Sequence, residues 1–162
     1  MKKYNYKNCQ SLFGYSANVH IRCKGICQLC ECGGEPLDFD LWRQMTVEHL
    51  IGKSQNGYLK QIKELVEQHF ESLGSEEQDQ LSKEIDSINT VTACQFCNSA
   101  TSRDKNDISM VKLFTDNSGN KDLLISEVRR TCDTILIKKR KSVQWKLESV
   151  KEAFEENVLS KL

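Results

Sequence analysis

Two Cys-x-x-Cys pairs constrain this chain more than any other feature of its sequence. They are Cys27/Cys30 and Cys94/Cys97, and 63 residues separate them. Each pair can present two thiolates from one tight turn, and two such pairs complete a tetrahedral site with metal–sulfur bonds of about 2.3 Å. The sequence therefore predicts that two distant segments meet at one metal ion and close a large loop.

Four thiolates favour zinc, which would be a structural ion here. The chain has eight cysteines, and its N-terminus lacks the apolar segment of a secretory signal. This combination disfavours disulfides and indicates a cytoplasmic protein that binds metal. Cys32 is an alternative to Cys30 as a ligand, and Cys23 is an alternative to Cys27. The other two cysteines are expected to be ordinary buried or free thiols: Cys9 and Cys132.

The pattern along the chain predicts an α+β fold. Residues 1–24 have no clear period and carry five Lys/Arg and no acid, so we expect a basic N-terminal arm. A core follows at residues 25–115, in which Met45, Val47 and His49 would share one strand face. A second short strand is expected at Asn89–Ala93, followed by a helical unit from Cys94 to Asp104.

Helical periodicity dominates the rest of the chain. Apolar residues at three- to five-residue steps over residues 58–87 predict a helical hairpin inserted in the core, with Ser75 and Gln78 forming a capping box. Residues 120–162 predict a mostly helical C-terminal extension. Its two apolar stripes are expected to be buried intramolecular faces, with a homodimer or partner-protein contact as the alternative: Leu124, Val128, Cys132 and Ile135, then Leu147, Val150, Phe154 and Val158.

Polar residues lie in a suggestive order around the two cysteine pairs. Glu48-His49 ends the first predicted strand, Asn89 begins the second, and Asn98 directly follows Cys97. In this order over residues 25–105, the chain resembles the HNH endonucleases, whose fold is a ββα-metal unit. The resemblance implies a zinc-stapled HNH core that hydrolyses DNA phosphodiester bonds, with RNA as an alternative substrate, and leaves 5′-phosphate and 3′-hydroxyl ends.

The resemblance also implies residue roles. His49 would be the general base, since an imidazole can take a proton from water at neutral pH. Glu48 and Asn98 would hold a catalytic Mg²⁺ or Mn²⁺, and Asn89 would orient the histidine-bearing loop through backbone hydrogen bonds. Glu48 and His49 are adjacent, so they can work together only if the strand ends or bends there.

Three positions depart from the family pattern. Glu48 stands where Asp is usual, Gly52 where Pro is common, and Thr101 where Lys is frequent. Arg103 or Lys105 would supply the missing positive charge.

Formal net charge is zero, but charge is unevenly distributed. Residues 129–146 hold seven Lys/Arg against one acid, whereas residues 57–88 hold eight acids against three lysines. The basic segment includes a predicted strip of phosphate contacts: Lys138, Lys139, Arg140 and Lys141. Membrane contact is not expected, because no apolar run approaches the ~18 residues that a membrane span needs.

Two other functions remain open. One is a zinc-stapled nucleic-acid-binding protein without catalysis, whose basic segments grip phosphates. The other is a structural interaction module that docks a partner through its helices. Neither requires Asn89 or Asn98, so the nuclease is the leading hypothesis.

Overall fold

Two strands pair antiparallel although the chain between them spans residues 50–89. They are β1 (Met45–His49) and β2 (Thr90–Cys94), and their register pairs Met45 with Cys94 and His49 with Thr90. The computed structural model describes residues 14–52, 58–101 and 108–162. Both strands lie where the sequence predicted them.

Helices make up most of the described residues, which gives the predicted α+β class. Helix α5 directly follows β2, so that β1, β2 and α5 form a strand–strand–helix unit. A short 3₁₀ turn at Leu159–Lys161 ends the chain. The helices are α1 (Tyr15–Arg22), α2 (Phe39–Trp42), α3 (Tyr58–His69), α4 (Ser75–Asn89), α5 (Gln95–Thr101), α6 (Met110–Asp116) and α7 (Lys121–Asn157).

Helix α1 corrects the expectation of an irregular arm. Its side chains pack on the sheet: His20 is fully buried, and its Nδ1 lies 2.8 Å from Thr92 Oγ1. Arg22 donates to the carbonyl and hydroxyl oxygens of Thr90, at 2.8 and 3.0 Å. The sequence lacked a clear apolar period here because α1 buries one aliphatic side chain, Val19, and is otherwise attached through polar contacts. Residues 1–13 lie outside the described part of the chain.

The predicted helical hairpin is present as α3 and α4. The capping contact is displaced by one residue from the predicted one, because Gly74 N–H donates to Glu77 Oε2 at 3.1 Å. These helices pack with α6 and α7 around a cluster that we call the helical core: Leu50, Ile51, Tyr58, Ile62, Val66, Phe70, Leu81, Ile85, Met110, Phe114, Leu124, Val128, Cys132 and Ile135.

A second cluster, the cysteine core, lies around the Cys-x-x-Cys pairs. Its buried members are Cys27, Leu29, Met45, Ala93, Cys97 and Val143. Since Val143 belongs to α7, the long helix contributes to both cores. No helix in the described part of the chain, α7 included, is long and apolar enough to span a bilayer.

The second apolar stripe is not buried beyond Leu147, contrary to expectation, although Leu147 itself packs against the cysteine core. Val150, Phe154 and Val158 are 49%, 47% and 42% exposed. The first stripe, Leu124 to Ile135, is buried in the helical core as predicted. Because α7 continues past the rest of the fold, its last turns have no apolar surface to cover them within the described chain.

The turn that carries Cys30 and Cys32 depends on a glycine. Gly33 has φ +95° and forms an isolated bridge with Ile26. A Cβ there would lie 2.3 Å from the Gly25 carbonyl oxygen and 2.9 Å from Met45 Cε. Gly119 has φ +74°, but a Cβ there would have no atom within 4 Å, which makes Gly119 a matched control.

We expect Gly33→Ala to lower the free energy of unfolding by about 3 kcal/mol or more, because backbone overlap adds to the strain of positive φ. Gly119→Ala carries only the strain, about 1 kcal/mol. Urea unfolding of both variants measures the difference. If both variants lost the same free energy of unfolding, the backbone around Gly33 would accommodate the added Cβ without cost.

Candidate metal centre and histidine site

Four thiols lie close together, three from the turn before β1 and one from the end of β2. The sulfurs of Cys27, Cys30, Cys32 and Cys94 all lie within 4.8 Å of one another. Cys30 Sγ and Cys94 Sγ are 3.9 Å apart. Two sulfurs of a tetrahedral zinc–thiolate site are separated by about 3.8 Å, given bonds of about 2.3 Å. The group could therefore hold a zinc ion, and it joins the two distant segments as the sequence predicted.

Backbone N–H groups point at the first sulfur of each pair. Cys27 Sγ accepts from Cys94 N at 3.3 Å and from the backbone of Leu29 and Cys30. Cys94 Sγ accepts from the backbone of Cys97. Such donors stabilise a thiolate, the form that binds metal.

The thiols resist ionising together. A hydrogen bond from the Cys94 thiol lowers the pKa of Cys27 to about 4, although burial opposes it. Burial raises the pKa of Cys32 to about 12, and the neighbouring Cys30 adds to the increase. The pKa of Cys94 is raised by the same hydrogen bond with Cys27, and that of Cys97 by burial. A bound cation would remove this mutual opposition.

The four clustered thiols differ from the predicted set in one member, since they include Cys32 and not Cys97. Cys97 is fully buried, and its thiol hydrogen-bonds with those of Cys30 and Cys94. Cys32, which the sequence suggested as an alternative to Cys30, lies beside Cys30 instead of replacing it. The choice is therefore between Cys32 and Cys97 as the fourth ligand.

The other cysteines lie apart from this group. Cys23 Sγ accepts from Thr92 N at 3.4 Å, and Cys132 lies in the helical core with its Sγ 3.7 Å from Asn89 Oδ1. Cys9 is outside the described residues.

Asn89 makes the backbone hydrogen bonds predicted for it. Its Oδ1 accepts from Ile51 N at 2.7 Å, and its Nδ2 donates to Ile51 O at 3.1 Å. The Tyr58 hydroxyl also donates to Ile51 O. Asn89 is fully buried, and the segment that directly follows His49 is therefore fixed.

His49 lies on the sheet face that α1 covers. Its ring packs edge-on against Tyr58, with centroids 5.0 Å apart, and its Nε2 is 3.5 Å from the Tyr15 hydroxyl. Its Nδ1 is buried and has no hydrogen-bond partner among the described residues. Burial lowers the pKa of His49, so the neutral imidazole, which can accept a proton, dominates at neutral pH.

Tyr15 and Asp86 extend this polar group, and sequence reasoning missed both. Tyr15 donates to Asp86 Oδ1 at 3.2 Å. Burial raises the pKa of Asp86, while the hydrogen bond from Tyr15 and the charge of Arg22 oppose the rise. Tyr15 lies 34 residues before His49 and Asp86 lies within an acidic helix, so no local spacing signalled them.

The Glu48 side chain projects from the face of β1 opposite to that of His49. Lys139 Nζ of α7 donates to Glu48 Oε1 at 2.6 Å, and the two side chains are only 11% and 9% exposed. The same ammonium is 3.3 Å from Thr101 Oγ1. The strand register continues through His49, so the bend that would bring Glu48 and His49 together is absent from β1.

Asn98 is on the Glu48 face, where its Nδ2 donates to Thr46 Oγ1 at 2.8 Å. Thr46 and Glu48 are two residues apart on one strand and so share that face. The structure therefore brings Asn98 to the side of Glu48, while His49 lies on the other side of the sheet.

The predicted phosphate contacts differ in whether their side chains are free of bonds within the protein. Lys138 and Lys141 are exposed, but Lys139 is turned inward to Glu48. Arg140 Nε donates to the Gln28 carbonyl at 2.7 Å, which ties α7 to the cysteine turn. The remaining two lie outside the described residues: Arg103 and Lys105.

Comparison with known proteins identifies no relative for this arrangement. No family model, curated protein or solved structure matches the chain.

We expect one zinc per chain and expect Cys94→Ser to lose it, because Cys94 belongs to either ligand set. Cys32→Ser and Cys97→Ser should each keep the ion, since the other thiol completes the site, and the double variant should lose it. Elemental analysis of the purified proteins measures this, with Cys132→Ser as control. Zinc retained by the double variant would contradict the site.

We expect Lys139→Met to lower the free energy of unfolding by about 3 kcal/mol, because it removes the ammonium that pairs with the buried Glu48 carboxylate. Lys138→Met, at the exposed neighbour, should change it by no more than about 0.5 kcal/mol. Adding Glu48→Gln to Lys139→Met should recover part of the loss in urea unfolding. If Lys139→Met lowered the free energy of unfolding as little as Lys138→Met does, the Glu48–Lys139 ion pair would not be a strong one.

Proposed function

We propose that the chain is a zinc-stabilised nuclease that hydrolyses phosphodiester bonds of DNA or RNA, with His49 as the general base. The observation that supports this most is the fixed imidazole with a buried, unpartnered Nδ1. An unpaired buried polar atom costs about 1–3 kcal/mol, so its retention favours a functional role.

The proton transfer can be written from His49. Because Nδ1 is buried, the step requires an opening beside His49 that admits a water molecule. That water gives up its proton to Nδ1 as its oxygen attacks phosphorus. The phosphorus–oxygen bond to the leaving nucleoside breaks, and the departing oxygen takes a proton from solvent. The lowered pKa keeps His49 in the neutral form that this step requires.

Positive charge is available on the same sheet face. Arg22 is exposed, and its guanidinium is held near His49 by its hydrogen bonds with Thr90, which is the strand partner of His49. A guanidinium can donate two hydrogen bonds to one phosphate. Arg22 would thus bind the phosphate next to the base.

The predicted divalent ion is less well supported. Glu48 and Asn98 offer oxygen donors of the type that Mg²⁺ and Mn²⁺ prefer, and such an ion would stabilise charge on the phosphate. However, Lys139 already neutralises Glu48 in a buried pair. The surroundings of Glu48 therefore do not suit a divalent ion, and its role as a metal ligand stays a prediction.

The same ion pair favours a second function, nucleic-acid binding without catalysis. In that case the Glu48–Lys139 pair is structural, and the exposed Lys138, Lys141 and Arg22 contact phosphates. Affinity would then fall steeply with salt concentration.

Nicking of supercoiled plasmid tests the proposal, with Mg²⁺, with Mn²⁺ and with EDTA, together with cleavage of a labelled RNA. We expect His49→Ala to lower the rate at least ~100-fold, because it removes the general base. His69→Ala, at the end of α3, should retain the wild-type rate. Cleavage that persists in His49→Ala, or a gel shift without cleavage of either substrate, would refute catalysis by His49; the second result supports binding alone.

A further inference from the structure

A tyrosine bridges a buried carboxyl group and the imidazole. The Tyr15 hydroxyl is 3.2 Å from Asp86 Oδ1, to which it donates, and 3.5 Å from His49 Nε2. The three residues come from α1, α4 and β1, so the contact forms only when these elements pack together.

Hydrogen counting then assigns the histidine tautomer. An ionised Asp86 can only accept, so the single proton of the Tyr15 phenol is directed at Asp86. Its oxygen can therefore only accept from His49, which requires the hydrogen of the neutral ring to lie on Nε2. Nδ1 is left with a lone pair, and it is the ring nitrogen that no described residue contacts.

We propose that Tyr15 and Asp86 are positioning residues that hold His49 in the Nε2–H tautomer, with Nδ1 as the proton-accepting atom. This inference rests on the proposed function for its catalytic meaning, but the tautomer itself does not depend on activity. Tyr15 and Asp86 act through His49 and contact no reacting atom.

Several features keep the bridge in place. Asp86 is buried, and Arg22 lies near enough for its charge to act on Asp86. Tyr58 packs edge-on against the imidazole and directs its own hydroxyl to Ile51, so it offers no hydrogen bond to His49. Among the described residues, Tyr15 is thus the one whose hydroxyl lies within hydrogen-bond distance of this ring.

Nitrogen-15 NMR of the zinc-loaded, histidine-labelled full chain tests the inference at a pH where His49 is neutral. His49→Gln assigns the signal among the three histidines. We expect wild-type Nε2 to show a protonated-nitrogen shift and Nδ1 a lone-pair shift. Tyr15→Phe and Asp86→Asn should each populate the Nδ1–H form, whereas Tyr58→Phe, a matched loss of one hydroxyl beside the same ring, should not.

A wild-type Nδ1–H ring would overturn the inference, as would a tautomer unchanged in both Tyr15→Phe and Asp86→Asn. Zinc content and backbone spectra show whether each variant is folded, and one folded variant of the two is sufficient for the test. The expected tautomer in a protein that cleaves no nucleic acid would leave the positioning intact and refute only the proposed function.

Discussion

The pairing of β1 with β2 is the constraint on which the rest of the molecule depends. The strands are far apart in the chain, so closing the intervening loop costs conformational entropy that strand hydrogen bonds alone repay poorly. Both ends of the pair are therefore fastened. Thiols gather at the Met45–Cys94 end, and Asn89 holds Ile51 at the His49–Thr90 end.

Within the described residues the sheet has two strands, and helices cover both of its faces. Helix α1 covers one face with Val19 and several polar residues, and α5 with α7 covers the other. Adjacent residues of β1 consequently enter different environments: His49 meets Tyr15 and Tyr58, whereas Glu48 meets Lys139. The alternation of a strand thus separates two groups that are neighbours in sequence.

Periodicity and cysteine spacing predicted much of this fold. The hairpin helices, both strands and the meeting of the cysteine segments were all predictable, since each leaves a local signal. Helix α1 and the Tyr15–Asp86 contact were not, because polar long-range contacts have no period. The buried position of Lys139 could not be predicted, because it lies in a run of basic residues and such residues are usually exposed. Of the proposed site, the bonds of Asn89 were predicted, and the tyrosine bridge was not.

Helix α7 has a consequence beyond its place in either cluster. At 37 residues it is about 55 Å long. Its early turns contribute Leu124 to the helical core and its middle contributes Val143 to the cysteine core. If the cysteine core opens locally, the helix that is displaced is therefore the same helix that packs in the helical core. The two clusters are therefore joined by one unbroken helix as well as by the loop that connects the strands.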